Sequence, residues 1–198
     1  MQELISVRQR MRAQREALSS QQRQAAAAIV AQKLLNLSVV QTAEHIAVYL
    51  AHQGELELGP TITALWQQGK RLYLPCLSGS TALHFHAYTA TSDLQANRFG
   101  ILEVKEAIGL GPRVREDDED VPLSLPAEAL DIVLVPLVAF DALGHRLGMG
   151  QGYYDRCFAF RRLGVQATPC LIGCAYPFQE IPVFEPAAHD VAMDLVVY

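Results

Sequence analysis

The chain has no apolar run long enough to cross a bilayer as a helix, so no membrane span is expected. It has no Cys-x-x-Cys pair: its 4 cysteines, Cys76, Cys157, Cys170 and Cys174, stand apart. A chain of this size needs no disulfide staples, so the expectation is free thiols in a reducing cytoplasm. It has no basic excess: 16 Lys and Arg against 21 Asp and Glu give a formal net charge of -5, which offers no general reason to bind nucleic acid. The polar opening Met1-Gln2-Glu3 does not read as a signal peptide. No internal repeat or linker is visible, so residues 1–198 are read as one domain. What is present is the composition of an ordinary globular protein: 198 residues, 51% hydrophobic and 19% charged.

The apolar pattern divides the chain. Residues 1–36 contain no proline and repeat Val7, Met11 and Leu18 at helical spacing, with Ser19 or Ser20 placed to cap a second helix through Ala25–Ala28 to Leu35. This segment carries Arg8, Arg10, Arg12, Arg15, Arg23 and Lys33 against only Glu3 and Glu16, so an acidic chain begins with a basic stretch. Strands are expected at 45–50, 71–75, 82–88, 131–139, 169–175 and 193–198, with helices at 60–68 and 152–163. The acidic run 116–120 sits in a Gly/Pro-rich stretch, 109–126, that reads as a solvated loop. Strands alternating with helices predict an α/β fold with a largely parallel sheet.

The segment after the 131–139 strand carries the chemistry. Gly148, Gly150 and Gly152 alternate behind Arg146 and ahead of Tyr153-Tyr154-Asp155. This spacing is neither the dinucleotide-binding fingerprint nor the P-loop. Glycines there permit positive φ and let backbone N–H groups approach a polyphosphate, with Arg146 as a bidentate partner and the following helix adding its positive end. A tight turn that needs glycine for geometry alone fits the spacing equally well. Asp155 fits a helix cap or a Mg²⁺ ligand, and Asp190 and Asp194 are further carboxylate candidates. Arg8 and Arg12, four apart, share a helix face and suit either a phosphate clamp or a solvated surface. Glu55 follows a strand's carboxyl end, where α/β proteins bind ligands, and Glu57 two residues on is not separable from it by pattern. His84 and His86 share one strand face without a third ligand, which favours a surface pair.

Taken together these residues resemble the 5-formyltetrahydrofolate cyclo-ligase family. The resemblance rests on Val135-Pro-Leu-Val-Ala-Phe-Asp141 followed by Gly144-His-Arg-Leu-Gly-Met-Gly-Gln-Gly-Tyr-Tyr-Asp-Arg156, with weaker matches at Tyr49–Glu55, Leu74-Pro75, Phe99-Gly-Ile101 and His189-Asp190. It implies a three-layer α/β/α sandwich and the conversion of 5-formyltetrahydrofolate to 5,10-methenyltetrahydrofolate with ATP and Mg²⁺, by a cytoplasmic monomer that engages neither nucleic acid nor membrane. It implies a catalytic set of Arg146, Tyr153 and Asp155. ATP would be held by Arg8, Arg12, Arg146, Leu147, Gly148, Met149, Gly150, Gln151, Gly152, Tyr153 and Tyr154. Folate would be held by Leu50, Glu55 and residues 149–153, and Mg²⁺ by Asp155 and Asp190. The chain departs from the family's usual pattern at Arg8, commonly lysine, at Met149, commonly tyrosine or a basic residue, and at Glu103-Val104, to which no role is given.

Overall fold

The computed structural model describes residues 2–78, 82–105, 122–163 and 168–198; the acidic run 116–120 lies outside them. In chain order the elements are α1 (Gln2–Ala17), α2 (Ser20–Leu35), α3 (Ser38–Thr42), β1 (His45–Ala47), α4 (Gly59–Gln67), β2 (Arg71–Ser78), β3 (Ala82–Tyr88), β4 (Leu94–Ala96) and β5 (Leu102–Val104). There follow β6 (Ser124–Leu125), β7 (Ile132–Pro136), β8 (Ala139–Phe140), β9 (Arg146–Leu147), α5 (Tyr153–Cys157), β10 (Cys170–Cys174) and β11 (Leu195–Val197).

The unbroken apolar runs in β1, β2 and β7 have a direct physical cause. Ile46, Leu72, Leu74, Ile132 and Leu134 pack on one side of the sheet against Val30, Leu34, Ile62 and Leu65 of α2 and α4. Ala47, Tyr73, Val133 and Val135 pack on the other with Phe85, Phe158 and Met193. Successive side chains leave a strand on opposite faces, so a strand covered on both needs apolar residues at every position. The sheet runs β11-β10-β7-β1-β2-β3-β6. Its pairs from β11 to β2 are parallel, and β3 and β6 close the edge antiparallel. The expected α/β sandwich with a largely parallel sheet is the observed one, with a thin second layer made of α5 and a 3-10 turn at Ala159–Leu163.

Most expected elements stand where the pattern puts them, and the differences have local causes. The basic N-terminal stretch is two helices, split at Leu18-Ser19 because Ser19 caps α2: its Oγ accepts from Gln22 N at 3.2 Å while Gln22 Oε1 accepts from Ser19 N at 2.9 Å. The helix expected over 152–163 closes after five residues, where the wholly buried Phe158 enters the second core between Phe85 and Phe160. The 131–139 strand stops at Pro136, which has no N–H for the ladder, and the chain passes into the β8–β9 hairpin. The five-residue α3 was not expected, being too short to show a period. No described helix is long and apolar enough to cross a membrane. All four cysteines are free; burial pushes the Cys157 thiol up to about 12 and raises that of Cys174, so both stay protonated.

The β8–β9 turn is held by Asp141, which is 2% exposed. Its Oδ1 accepts from Leu143 N and His145 N, both at 3.0 Å. Its Oδ2 accepts from Phe184 N at 3.2 Å and lies 2.9 Å from His145 Nδ1. Burial alone would raise this carboxyl, but the hydrogen bonds from His145, Phe184 and Leu143 prevail and hold it below the usual carboxylate range. Gly144 in the same turn has φ +80°, and a Cβ there would lie 2.6 Å from the carbonyl oxygen of Met193. Gly144→Ala is therefore expected to destabilise the protein by about 2 kcal/mol or more, read as a lowered urea midpoint; an unchanged midpoint would mean that the turn and the segment at Met193 separate freely.

Candidate active site

The β8–β9 hairpin delivers its last two residues, Arg146 and Leu147, into a cavity of ≈ 710 Å³. The floor of this cavity is Tyr49 and Leu50 just beyond β1, Leu74 and Pro75 midway along β2, and Pro136 and Leu137 at the carboxyl end of β7. The sheet order reverses there: from the central β1 the chain crosses to β2 on one side, and β7 lies on the other. Such a switch point opens a crevice between loops that leave in opposite directions. The volume suits a ligand of cofactor size.

The glycine loop forms one wall. Gly150 and Gly152 have φ of +89° and +64°, which a turn reading explains. Gly148 has neither a positive φ nor any atom within 4 Å of where a Cβ would stand. A turn gives no reason for glycine at 148, whereas close approach of a ligand to the backbone does. The helix that follows is a single turn, so its dipole adds little positive potential, contrary to the expectation from sequence. Positive charge comes instead from side chains. Arg8 Nε donates to Gly148 O at 2.9 Å, and Arg156 Nη1 donates to Gln151 O at 2.8 Å. Arg156 and Arg162 line an adjoining recess of ≈ 370 Å³ that shares Gly150, Gln151, Gly152 and Asp155.

Arg146 is the buried member of the set, 7% exposed, with its guanidinium 5.4 Å over the Tyr154 ring. Its Nη2 donates to Asp155 Oδ1 at 2.6 Å, and its Nε is buried without a hydrogen-bond partner. A buried donor left unmade is expensive, which fits a site completed by an anionic ligand. Asp155 does not cap α5; Gly152 holds that position, and Asp155 Oδ1 takes Arg146 and, at 3.2 Å, Val191 N. Both bonds fall on one oxygen. Asp190 lines the same cavity, accepts from Ala187 N through Oδ2 at 2.9 Å, and meets His189 only at 3.7 Å through Oδ1. Two carboxylates facing one cavity beside a phosphate-sized loop suit a hard cation such as Mg²⁺, which keeps waters and phosphate oxygens among its ligands. Among the described residues no group of three His, Cys, Asp or Glu side chains is gathered for a metal, and His84 and His86 stay on the outer strand β3.

Of the residues singled out from sequence, Arg8, Leu50, Glu55, residues 146–155 and Asp190 all line the cavity, and Arg12 does not. Arg12 faces solvent and pairs with Glu16 at 2.9 Å; it lies further round α1 than Arg8 from the buried stripe of Val7, Met11 and Arg15. Such an exposed i,i+4 pair contributes only about 0.3–0.5 kcal/mol, so it holds Arg12 weakly. Asp194 is structural: it accepts from Arg161 at 2.8 Å and Leu171 N at 2.7 Å. Glu57 is exposed on the surface, leaving Glu55 as the carboxylate in the wall. Met149 is 49% exposed at the loop's tip, so the loop presents its backbone there and not a buried side chain.

The wall opposite the glycine loop escaped the sequence reading. Asn97 Oδ1 accepts from Phe99 N and Ile101 N at 2.8 and 3.1 Å, and its Nδ2 donates to Glu103 Oε1 at 2.7 Å. Glu103 Oε1 also accepts from Leu77 N at 2.9 Å, tying this loop to β2. The frame carries Phe99 edge-on to Tyr153, ring centres 6.2 Å apart, and Arg98, which donates to the Tyr153 hydroxyl at 2.9 Å. A polar side chain in an apolar strand, Glu103, was the available signal.

Glu55 lines the same cavity from the end of the 52–55 turn, with Oε2 accepting from His52 N at 3.0 Å. Burial raises its carboxyl from 4.5 to about 7, against the pull of His52 N–H and the Arg15 charge. A carboxyl raised on folding favours the folded state below the unfolded value of 4.5 and loses that advantage as pH rises through about 7. Glu55→Gln should thus gain thermal stability relative to the parent between about pH 5 and 8, by at most about 3 kcal/mol. A stability difference that stays flat across that range would show that Glu55 is not strained as an anion.

The sequence profile of the 5-formyltetrahydrofolate cyclo-ligase family matches residues 1–198. A 5-formyltetrahydrofolate cyclo-ligase of Escherichia coli (strain K12) is 38% identical over 148 residues, covering 74% of each chain. The mouse 5-formyltetrahydrofolate cyclo-ligase is 26% identical over 204 residues, covering 97% of this chain and 89% of its own. The solved structure of the Aquifex aeolicus 5,10-methenyltetrahydrofolate synthetase superposes with a TM-score of 0.77 at 27% identity, covering 98% of this chain and 88% of that one. The Mycoplasma pneumoniae 5,10-methenyltetrahydrofolate synthetase has the same fold, with a TM-score of 0.72 at 23% identity over 98% of this chain and 97% of its own. The cavity-lining run Arg146–Asp155 falls within the matched region, and the chain belongs to the 5-formyltetrahydrofolate cyclo-ligase family.

Proposed function

We propose that this enzyme converts 5-formyltetrahydrofolate to 5,10-methenyltetrahydrofolate, consuming ATP and releasing ADP and phosphate. The observation that carries the reading is that one cavity is lined both by a cationic, glycine-rich run, Arg8 with residues 146–152, and by the carboxyl of Glu55. A triphosphate requires the first, and an N–H-rich pterin ring is recognised by the second.

The formyl oxygen on N5 is amide-like and leaves poorly. Transfer of the γ-phosphoryl group of ATP to that oxygen turns it into a phosphate leaving group. N10 then attacks the formyl carbon, forming the C–N bond of the five-membered ring. Loss of the N10 proton and departure of phosphate yield the methenyl product. Phosphoryl transfer depends on positioning and charge stabilisation more than on a protein nucleophile, and the raised thiols of Cys157 and Cys174 are poor nucleophiles.

Each wall has a task in this scheme. Arg146 lines the cavity and offers its positive charge to the phosphates, while Asp155 fixes its guanidinium plane. Arg8 sets the loop through the Gly148 carbonyl, and the open Cβ direction at Gly148 and Gly150 lets phosphate oxygens reach backbone N–H groups. Arg156 and Arg162 extend the positive surface along the adjoining recess. Tyr153, braced by Phe99 and Arg98, offers an aromatic wall to the folate, and Leu50 its apolar floor. Tyr154 has its phenol raised by burial and stays neutral as packing for Arg146. Magnesium, when bound at Asp155 and Asp190, would neutralise phosphate charge and orient the group being transferred.

Purified protein supplied with Mg-ATP and 5-formyltetrahydrofolate is expected to produce the near-ultraviolet absorbance of the methenyl compound and stoichiometric ADP. Folded protein that consumes no ATP under these conditions sinks the assignment. Asp155→Asn should lower kcat by about 100-fold or more while circular dichroism remains native. Full activity in that variant would remove Asp155 from the phosphate and metal site.

A further inference from the structure

The scheme above leaves one buried charge without a task. Arg15, in the last turn of α1, is 1% exposed, and its Nε and Nη1 have no hydrogen-bond partner. A buried guanidinium with unmade bonds destabilises a fold, and an apolar side chain of similar length would fill the space more favourably. Its surroundings suggest what it does. The 52–55 turn rests directly on it: a Cβ at Gly54 would lie 3.2 Å from Arg15 Cβ and 3.4 Å from its carbonyl carbon. Gln53 and Gly54 both take positive φ, 49° and 74°, reversing the chain so that Glu55 enters the cavity wall.

The charged and titratable groups facing Glu55 are few. Arg15 reaches it from α1, Tyr49 from beyond β1, Tyr154 from α5, and Tyr176, whose hydroxyl donates to Glu55 O at 3.4 Å, from beyond β10; His52 contributes its backbone N–H. Burial raises the phenols of Tyr49, Tyr154 and Tyr176, so these rings stay neutral. The cation of that group is Arg15. Among its charge interactions Glu55 ranks first, although desolvation still leaves the guanidinium pKa lowered.

We propose that Arg15 is a positioning residue for substrate capture: from beneath the 52–55 turn it offsets part of the burial that disfavours the Glu55 anion, so that the carboxylate can accept the paired N–H donors of a pterin ring. The inference rests on the reading that a reduced folate occupies this cavity. A carboxylate accepts two adjacent N–H groups, whereas a protonated carboxyl turns one oxygen into a donor and loses the match. The same helix sets both walls, since Arg8, seven residues earlier and two turns back along one face, holds the glycine loop through Gly148 O.

The test is calorimetric binding of 5-formyltetrahydrofolate, without ATP, from about pH 6 to 9, to the parent protein, Arg15→Met, Arg15→Gln, Arg15→Lys and Glu55→Gln. Arg15→Met should melt no lower than the parent, yet bind about 10-fold more weakly at neutral pH, with its binding midpoint displaced to higher pH. Arg15→Gln should weaken binding likewise, Arg15→Lys should recover most of it, and Glu55→Gln should bind weakly with little pH dependence. The KM for ATP should change by less than about 2-fold in the Arg15 variants. A folded Arg15→Met or Arg15→Gln protein with the parent's affinity and pH profile overturns the proposal. If the parent binds no reduced folate, the substrate assignment fails. The Arg15–Glu55 coupling is then read from stability alone. In an Arg15→Met or Arg15→Gln background, the pH at which Glu55→Gln becomes the more stable form should move, and no movement overturns it.

Discussion

The 2.6 Å bond between Arg146 and Asp155 is the contact on which the site depends. It joins the end of the β8–β9 hairpin to the start of α5, closing the glycine loop at its base so that residues 148–152 are held at both ends. Asp155 Oδ1 also takes the backbone N–H of Val191 and so brings the 184–190 segment, with Asp190, to the same rim. The side chains of the pair are 4% and 14% exposed, which makes their mutual satisfaction important. Removing one partner of such a pair leaves a buried charge whose cost exceeds the net worth of the pair itself.

Around that contact the protein spends stability on polar groups that a purely structural core would omit. Arg146 and Arg15 are buried with unmade bonds, and Glu55 is held where its charge is disfavoured. Arg146 and Glu55 line one cavity, and Arg15 lies under the turn that carries Glu55; the glycine loop and that turn each contain positive-φ residues. Helix α1 spans the distance between them. Val7 and Met11 bury it against Val138, Ala139 and Leu147, so the hairpin bearing Arg146 and the helix bearing Arg8 and Arg15 share one small core. Strain concentrated on ligand-facing groups, with well-packed apolar contacts behind them, is the arrangement expected of a pre-organised site.

The sequence by itself determined the layered α/β architecture, because strands covered on both faces must be apolar at every position, and Ser19 marks the start of α2 ahead of them. It also determined the family and the cavity-lining run 146–155, since Arg146, the alternating glycines and Asp155 are adjacent in the chain and their chemistry is local. It did not settle whether the glycines served a turn or a ligand. The space around each one bears on it: Gly150 and Gly152 take positive φ, as a turn requires, while Gly148 does not and has nothing near its missing Cβ. Glu55 and Glu57 were equivalent as letters, and the 52–55 turn put one in the cavity and the other on the surface. Arg8 and Arg12 share a helical spacing, yet Arg8 reaches Gly148 O while Arg12 faces solvent beside Glu16. Glu103 depends on Leu77 N, 26 residues away, and Arg8 on Gly148 O, 140 residues away, while Arg15 lies beneath the distant 52–55 turn. Periodicity reports which way a residue faces along its own element. Only the packing of distant elements fixes what it faces, and that is what made Arg15 a neighbour of Glu55.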